Sequence, residues 1–228
     1  MKLSEEMKNK TLLSFELFPP KTEKGLQNLP GTIDHLMKYN PSYISCTYGA
    51  GGGNVGANRE VCQMIKNAGT TPVTHFTVIK NTKEGIKEQL DQYLADGVDH
   101  MLALRGDIPL GETTTCGDFD YATDLVKFVR DTYGDKFEIA VAGSPEGHIS
   151  CRSLESDIAV LKQKQDNGAD YIMTQLCWDM EQFKYWLDAI RKAGITMPVD
   201  VGVMPILDQA ATINMALSRN GCVMDREL

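Results

Sequence analysis

The chain has 228 residues, 42% of them hydrophobic, enough to bury one substantial core, so residues 1–228 are read as a single domain. A formal charge of -8 and a pI near 5.0 exclude broad binding to nucleic acid or an anionic membrane, since phosphate would be repelled over most of the surface. No run approaches the roughly 20 apolar residues that span a bilayer, and charged residues stand where a secretory signal has its apolar core, so a cytoplasmic protein is expected.

Stretches rich in β-branched and other apolar residues predict seven strands, at 13–18, 43–48, 72–79, 100–104, 138–142, 171–176 and 199–204. Between them the apolar residues recur at helical spacing, as in Ala122, Leu125, Val126 and Val129 or in Phe183, Trp186, Leu187 and Ile190, which marks the faces that pack on a sheet. Glycines stand where each helix needs a left-handed cap: Gly69, Gly97, Gly134, Gly168, Gly194 and Gly221, at intervals of 28, 37, 34, 26 and 27 residues that suit one βα unit apiece. Such alternation predicts a parallel sheet, either doubly wound or closed as a barrel. Polar and glycine-rich residues just after five strands (Thr47-Tyr48-Gly49, His75, Arg105-Gly106-Asp107, Gly143-Ser144 and Gln175) favour the barrel, which gathers its carboxyl-end loops around one mouth. The expected fold is therefore a (β/α)8 TIM barrel lacking the eighth strand and its helices, with an open edge that further chain or another subunit would cover.

Several residues carry possible chemistry. Glu16 lies inside the apolar strand Ser14-Phe15-Glu16-Leu17-Phe18, where poor solvation should raise its pKa and make it a candidate general acid; a rim glutamate paired to a base is the plainer alternative. Gly49-Ala50-Gly51-Gly52-Gly53 opens no helix in a phosphate-loop pattern and reads as a loop over the mouth. His75 sits within a strand and His148 in a loop; a lone strand histidine is more often a satisfied core residue than a metal ligand. In Arg105-Gly106-Asp107, the alternatives are an internal ion pair or a ligand contact in which Gly106 admits a ring, Arg105 offers charge and Asp107 accepts a hydrogen bond. Asp157 and Lys164 share one face of a helix, either as solvated surface charge or as groups for ribose and pyrophosphate. The six cysteines form no CxxC pair, so no metal is expected and the thiols read as reduced.

Taken together, these segments resemble the methylenetetrahydrofolate reductase family. The likeness rests on Phe15-Glu16-Leu17-Phe18-Pro19-Pro20, Thr47-Tyr48-Gly49-Ala50, Ala103-Leu104-Arg105-Gly106-Asp107, Tyr121-Ala122-Thr123-Asp124-Leu125-Val126, Val141-Ala142-Gly143 with Pro145 and His148, and Thr174-Gln175. The resemblance implies a flavin-containing barrel that reduces 5,10-methylenetetrahydrofolate to 5-methyltetrahydrofolate. Glu16 would protonate the folate N10 and reduced flavin would deliver hydride to the methylene carbon. By the same likeness Asp107 lies near flavin and pterin, Gln175 bonds the pterin, Thr47 lies near flavin and nicotinamide, and Phe183 is a substrate-side aromatic. Tyr48, Ala50, His75, Arg105, Gly106, Ala122, His148, Cys151, Asp157 and Lys164 match flavin-contacting positions. Ser144 stands where many relatives carry a flavin-packing tyrosine, and Leu176-Cys177-Trp178-Asp179 replaces a phenylalanine-rich run. The implied cofactor is FAD rather than FMN, with NADH or NADPH as donor or a partner subunit supplying electrons, in a homo-oligomer or hetero-complex. Competing readings are a flavin- or folate-binding barrel subunit inactive without a partner or further C-terminal chain, and a flavin-free aldolase-type barrel, for which Lys80 follows the third strand but has no environment that would depress its pKa.

Overall fold

The computed structural model describes residues 2–20, 22–48, 55–108, 111–204 and 206–217. Its elements alternate along the chain: α1 (Leu3–Met7), β1 (Ser14–Leu17), α2 (Glu23–Met37), β2 (Tyr43–Cys46), α3 (Val55–Asn67), β3 (Thr71–Thr77), α4 (Lys83–Ala95), β4 (His100–Leu104), α5 (Ala122–Tyr133), β5 (Glu138–Gly143), α6 (Leu154–Asp166), β6 (Tyr171–Thr174), α7 (Met180–Lys192), β7 (Val199–Asp200) and α8 (Gln209–Leu217). The seven strands form one parallel sheet in chain order, each bonded to the next. A doubly wound sheet would reverse its strand order partway, and none of these strands does.

Side chains show that the sheet curls. Ser14 Oγ of β1 donates to Asp200 Oδ2 of β7 at 3.4 Å, and Tyr43 Oη of β2 donates to the same oxygen. In a flat sheet with about 4.8 Å between strands, β1 and β7 would lie roughly 29 Å apart, so these bonds require the two ends to come round toward each other. Among the described residues no strand pairs with the outer edge of β1 or of β7, so these seven strands leave a seam that is bridged by Asp200.

The strands bury different residues on their two faces. Inside the barrel Leu3, Tyr43, Val73, Leu102, Ala140 and Tyr171 pack together, with Leu12, Leu104 and Met173 against them. Outside, alternate strand residues such as Ile44, Phe76, Ala103, Val141 and Ile172 meet the helix stripes, including Leu125, Val126, Val129, Trp186 and Ile190. Five of the glycines expected to cap helices have positive φ, from 58° at Gly134 to 104° at Gly168; Gly221 lies outside the described residues. Side-chain oxygens of Thr22, Thr82, Ser153 and Asp179 cap the amino ends of α2, α4, α6 and α7.

Helix α1 has no counterpart in the apolar periodicity. It plugs the amino end of the barrel with Leu3, and its first turn is held by the buried Glu138, whose carboxylate accepts from Leu3 N at 2.7 Å and Ser4 N at 2.8 Å. The strand expected at 199–204 is two residues long instead. Beyond it Gly202 N donates to Thr174 Oγ1 at 3.0 Å, so a side chain takes the place of the next ladder bond.

Candidate active site

The carboxyl ends of the strands gather most of the residues singled out from sequence. Phe15 and Leu17 of β1 pack against the outer core, so period-2 alternation turns Glu16 to the inner face with Ser14. The pKa of Glu16 is raised by desolvation, in the expected direction. The cause is different from the one expected: Phe15 and Leu17 face away, and the desolvation comes from the barrel interior on the carboxyl's own side, although Glu16 is exposed at the mouth.

At the end of β2, Thr47 N extends the ladder by donating to Leu17 O at 2.9 Å. Its carbonyl, with that of Cys46, accepts from Asn58 Nδ2 at 3.1 and 3.0 Å. Asn58 is fully buried on α3 and its Oδ1 accepts from Thr74 Oγ1 and Tyr93 Oη at 2.8 and 2.7 Å, so one amide fixes the strand end below the mouth. Sequence inspection missed Asn58, because a polar residue in an amphipathic helix looks like its solvated face.

Tyr48 is turned outward: its ring packs on Phe76 at 5.7 Å and its hydroxyl donates to Gln89 Oε1 of α4 at 2.7 Å. Burial pushes its pKa up to about 12. Any contact it makes at the mouth is therefore through its backbone. Ala50 lies outside the described residues, as does the rest of the glycine-rich loop through Gly53.

On β3, His75 is buried on the inner face, and Nε2 has no hydrogen-bond partner. Desolvation lowers its pKa to about 4, so it is neutral near pH 7. Gly106, just after β4, has φ of 85°, and a Cβ there would stand 2.6 Å from Ile79 Cγ1 and 3.1 Å from Thr77 Cβ. The space that a side chain would need is filled by Thr77 and Ile79, so glycine is required there for packing and for φ together. Arg105 donates from Nε to Gly106 O at 3.3 Å, and Asp107 is exposed. No Arg105–Asp107 ion pair is present, so the internal-pair alternative does not hold.

The loop after β5 and helix α6 form one polar corner. Asp157 Oδ2 accepts from His148 N at 3.3 Å and Oδ1 from Cys151 Sγ at 3.5 Å. Desolvation lowers the His148 pKa; Asp157 opposes the shift, and the positive charges of Arg105 and Lys164 add to it. Burial raises the Cys151 thiol, reinforced by Asp157. Lys164 donates to Ala142 O at 2.9 Å at the end of β5, leaving two ammonium protons for a ligand; burial lowers its pKa and Asp157 supports its charge. The Asp157–Lys164 pair is therefore not solvated surface charge. Ser144 is part of the same loop, its carbonyl accepting from Gly147 N at 2.9 Å.

Gln175 extends β6 by donating from its backbone to Gly143 O at 2.8 Å, and its Oε1 accepts from Leu176 N at 2.9 Å. Two residues are placed otherwise. Ala122 is buried in the sheet-facing stripe of α5, and Phe183 rests on Trp186 at 5.9 Å among the residues lining the outer core. Among the described residues no group of three or more His, Cys, Asp or Glu could hold a metal ion, and no helix is long and apolar enough to cross a membrane.

The chain has relatives among known proteins. The model of the methylenetetrahydrofolate reductase family matches residues 2–220. The chain is 38% identical over 219 residues to "Methylenetetrahydrofolate reductase (NADH) 1" of Arabidopsis thaliana, covering 90% of this chain and 37% of that protein. It is 34% identical over 202 residues to the 5,10-methylenetetrahydrofolate reductase of Escherichia coli, covering 88% and 67%. The chain thus spans little more than a third of the plant relative's length. Among solved structures, an uncharacterized Clostridium thermocellum protein described as binding two copies of 5-methyl-5,6,7,8-tetrahydrofolic acid superposes with a TM-score of 0.72 over 99% of this chain and 77% of that one, at 13% identity, a likeness of fold. With a family model that runs through every strand of the barrel and relatives more than 30% identical, this chain belongs to the methylenetetrahydrofolate reductase family.

Proposed function

We propose that the barrel reduces 5,10-methylenetetrahydrofolate to 5-methyltetrahydrofolate with a bound flavin, and that Glu16 is its general acid. The observation that carries this reading is a carboxyl group on the inner face of β1 whose pKa burial raises, set at the mouth toward which the strand ends converge. A protonated carboxyl at that place can donate to N10 as the C–N10 bond of the folate ring breaks; an ionised one cannot. Asp107 and Gln175 would orient the pterin as acceptor and amide.

The residues fit a flavin nucleotide. Lys164 has ammonium protons to spare for a pyrophosphate, Arg105 adds charge nearby, and Asp157 offers a carboxylate on the same helix face. His75 brings a buried nitrogen in need of a partner. Two phosphates favour FAD over FMN. When bound and reduced, the flavin supplies the hydride that turns the methylene carbon into a methyl group. NADH is the proposed donor, following the name of the plant relative. The chain's own part is to bind, to orient and to hold one proton at Glu16.

A second reading, a flavin- or folate-binding barrel that turns over only with further chain or a partner, draws on the unpaired edges of β1 and β7 among the described residues. One experiment separates the two. The chain is loaded with FAD, photoreduced without oxygen and mixed with methylenetetrahydrofolate while flavin absorbance is followed. Prompt reoxidation, slowed about 10²- to 10⁴-fold in Glu16→Gln, is expected of the enzyme. Flavin that binds and stays reduced in the wild type would leave only the binding role.

A further inference from the structure

We propose that Thr77 is a further flavin-binding residue, its hydroxyl reaching the cofactor from the inner wall of the barrel beside His75; the inference rests on the flavin reading above. Thr77 ends β3, is 2% exposed, and its Oγ1 makes no hydrogen bond. A buried hydroxyl without a partner is costly and uncommon in native proteins.

Four other buried side-chain atoms among the described residues share this condition, and position separates them. His100 Nε2 stands 2.9 Å from Glu138 at the amino end of the barrel, and Tyr171 lies beside the plugging Leu3. Trp186 is in the outer core under α7. Only His75 Nε2 and Thr77 Oγ1 belong to the inner face at the carboxyl end of one strand. Val73 of that strand is in the inner core, Thr74 bonds Asn58 outside and Phe76 packs outside, so alternation turns both His75 and Thr77 inward. Two positions apart along a strand, their Cα atoms are separated by about 6.6 Å, within the length of one flavin ring system.

The surroundings hold this hydroxyl in place. Asn81 Nδ2 donates to Thr77 O at 3.1 Å, and Gln89 Nε2 donates to Asn81 Oδ1 at 3.0 Å. The Gly106 turn closes on Thr77 Cβ from the neighbouring strand, so Thr77 packs against the turn that carries Arg105 and Asp107. Valine would fill the same volume and suit a strand equally well, so packing does not account for the oxygen.

The test compares Thr77→Val and Thr77→Ser with the wild type in two measurements: FAD affinity by fluorescence quenching, and thermal melting of the flavin-free protein. Thr77→Val should bind FAD about three- to tenfold more weakly, the loss of one neutral hydrogen bond. Its flavin-free form should melt at the wild-type temperature or up to about 4 °C higher, because an unpartnered buried hydroxyl has become a methyl group. Thr77→Ser should keep wild-type affinity. Undiminished FAD affinity in Thr77→Val overturns the proposal, and so does a lower melting temperature of its flavin-free form, which would show that the hydroxyl has a partner inside the protein. Failure of the wild type to bind FAD would remove the flavin reading itself, and this inference with it.

Discussion

Glu138 ties the N-terminal helix to the floor of the barrel, and its replacement by alanine tests how the plug is held. Its carboxylate accepts two backbone N–H groups of α1, at 2.7 and 2.8 Å, and lies 2.9 Å from His100 Nε2, close but poorly aligned for a hydrogen bond. Each bond to a charged acceptor contributes roughly 1.5–3 kcal/mol, so the pair contributes about 3–6 kcal/mol. The loss is capped by local opening: α1 can detach for the cost of exposing Leu3 and the donors of its first turn, which limits Glu138→Ala to about 3–5 kcal/mol. In a protein of this size that lowers Tm by about 6–20 °C.

The effect depends on pH with a definite sign. Burial alone would lower the His100 pKa, but Asp99 and Glu138 outweigh it and raise it to about 9 from 6.5. Burial would raise Glu138, but His100, Ser4 and the backbone of Leu3 outweigh it and bring it down to about 2 from 4.5. The His100 contribution is whole below its unfolded value of 6.5 and is lost as pH rises through about 9; that of Glu138 is whole above 4.5 and is lost as pH falls toward 2. Urea denaturation of wild type and Glu138→Ala near pH 6 and near pH 9.5, with hydrogen exchange at Leu3 and Ser4, should show the larger gap at the lower pH. No destabilisation near pH 6 would refute the clamp, and an equal gap at both pH values would refute the charged state of His100.

Three further outcomes are expected. Tyr43→Phe removes the bond to Asp200 across the seam and should lower stability by about 1.5–3 kcal/mol in urea denaturation, with the effect centred on β1 and β7 in hydrogen exchange. Gly106→Ala must accept both an unfavourable φ and a Cβ 2.6 Å from Ile79 Cγ1; calorimetry should show a loss of at least ~1–2 kcal/mol, and flavin affinity should fall as Arg105 and Asp107 shift. For Glu16 the raised pKa means that the folded state resists ionisation, so the carboxyl opposes folding as pH rises above its ordinary value of 4.5. Glu16→Gln should therefore melt no lower than wild type at neutral pH while losing the folate half-reaction, and the wild-type rate should decline as pH rises through the shifted pKa.

Much of the fold is legible in local pattern because local physics decides it. The stripe Leu125, Val126 and Val129 announces a helix face, Thr82 and Ser153 cap their own helices, and Gly168 needs a positive φ whatever surrounds it. The inward turn of Glu16 also follows from the two-residue period of a strand, whereas the desolvation that raises its pKa comes from the barrel interior and not from its apolar neighbours in the chain. Other features depend on partners far away in sequence. Barrel rather than open sheet is settled by Asp200 meeting Ser14 and Tyr43, across 186 and 157 residues, and the plug by Glu138 meeting Leu3 across 135. Tyr48 and Phe183, plausible site residues by position, are claimed by Gln89 and Trp186 of the helix layer. The elements, their order and the presence of a lone acid among apolar residues can be read from the chain alone, since these rest on neighbours a few positions apart. Which buried polar atoms find a partner and which do not depends on the packed fold, because a hydrogen bond is a matter of distance in space, and period and composition carry no information about it.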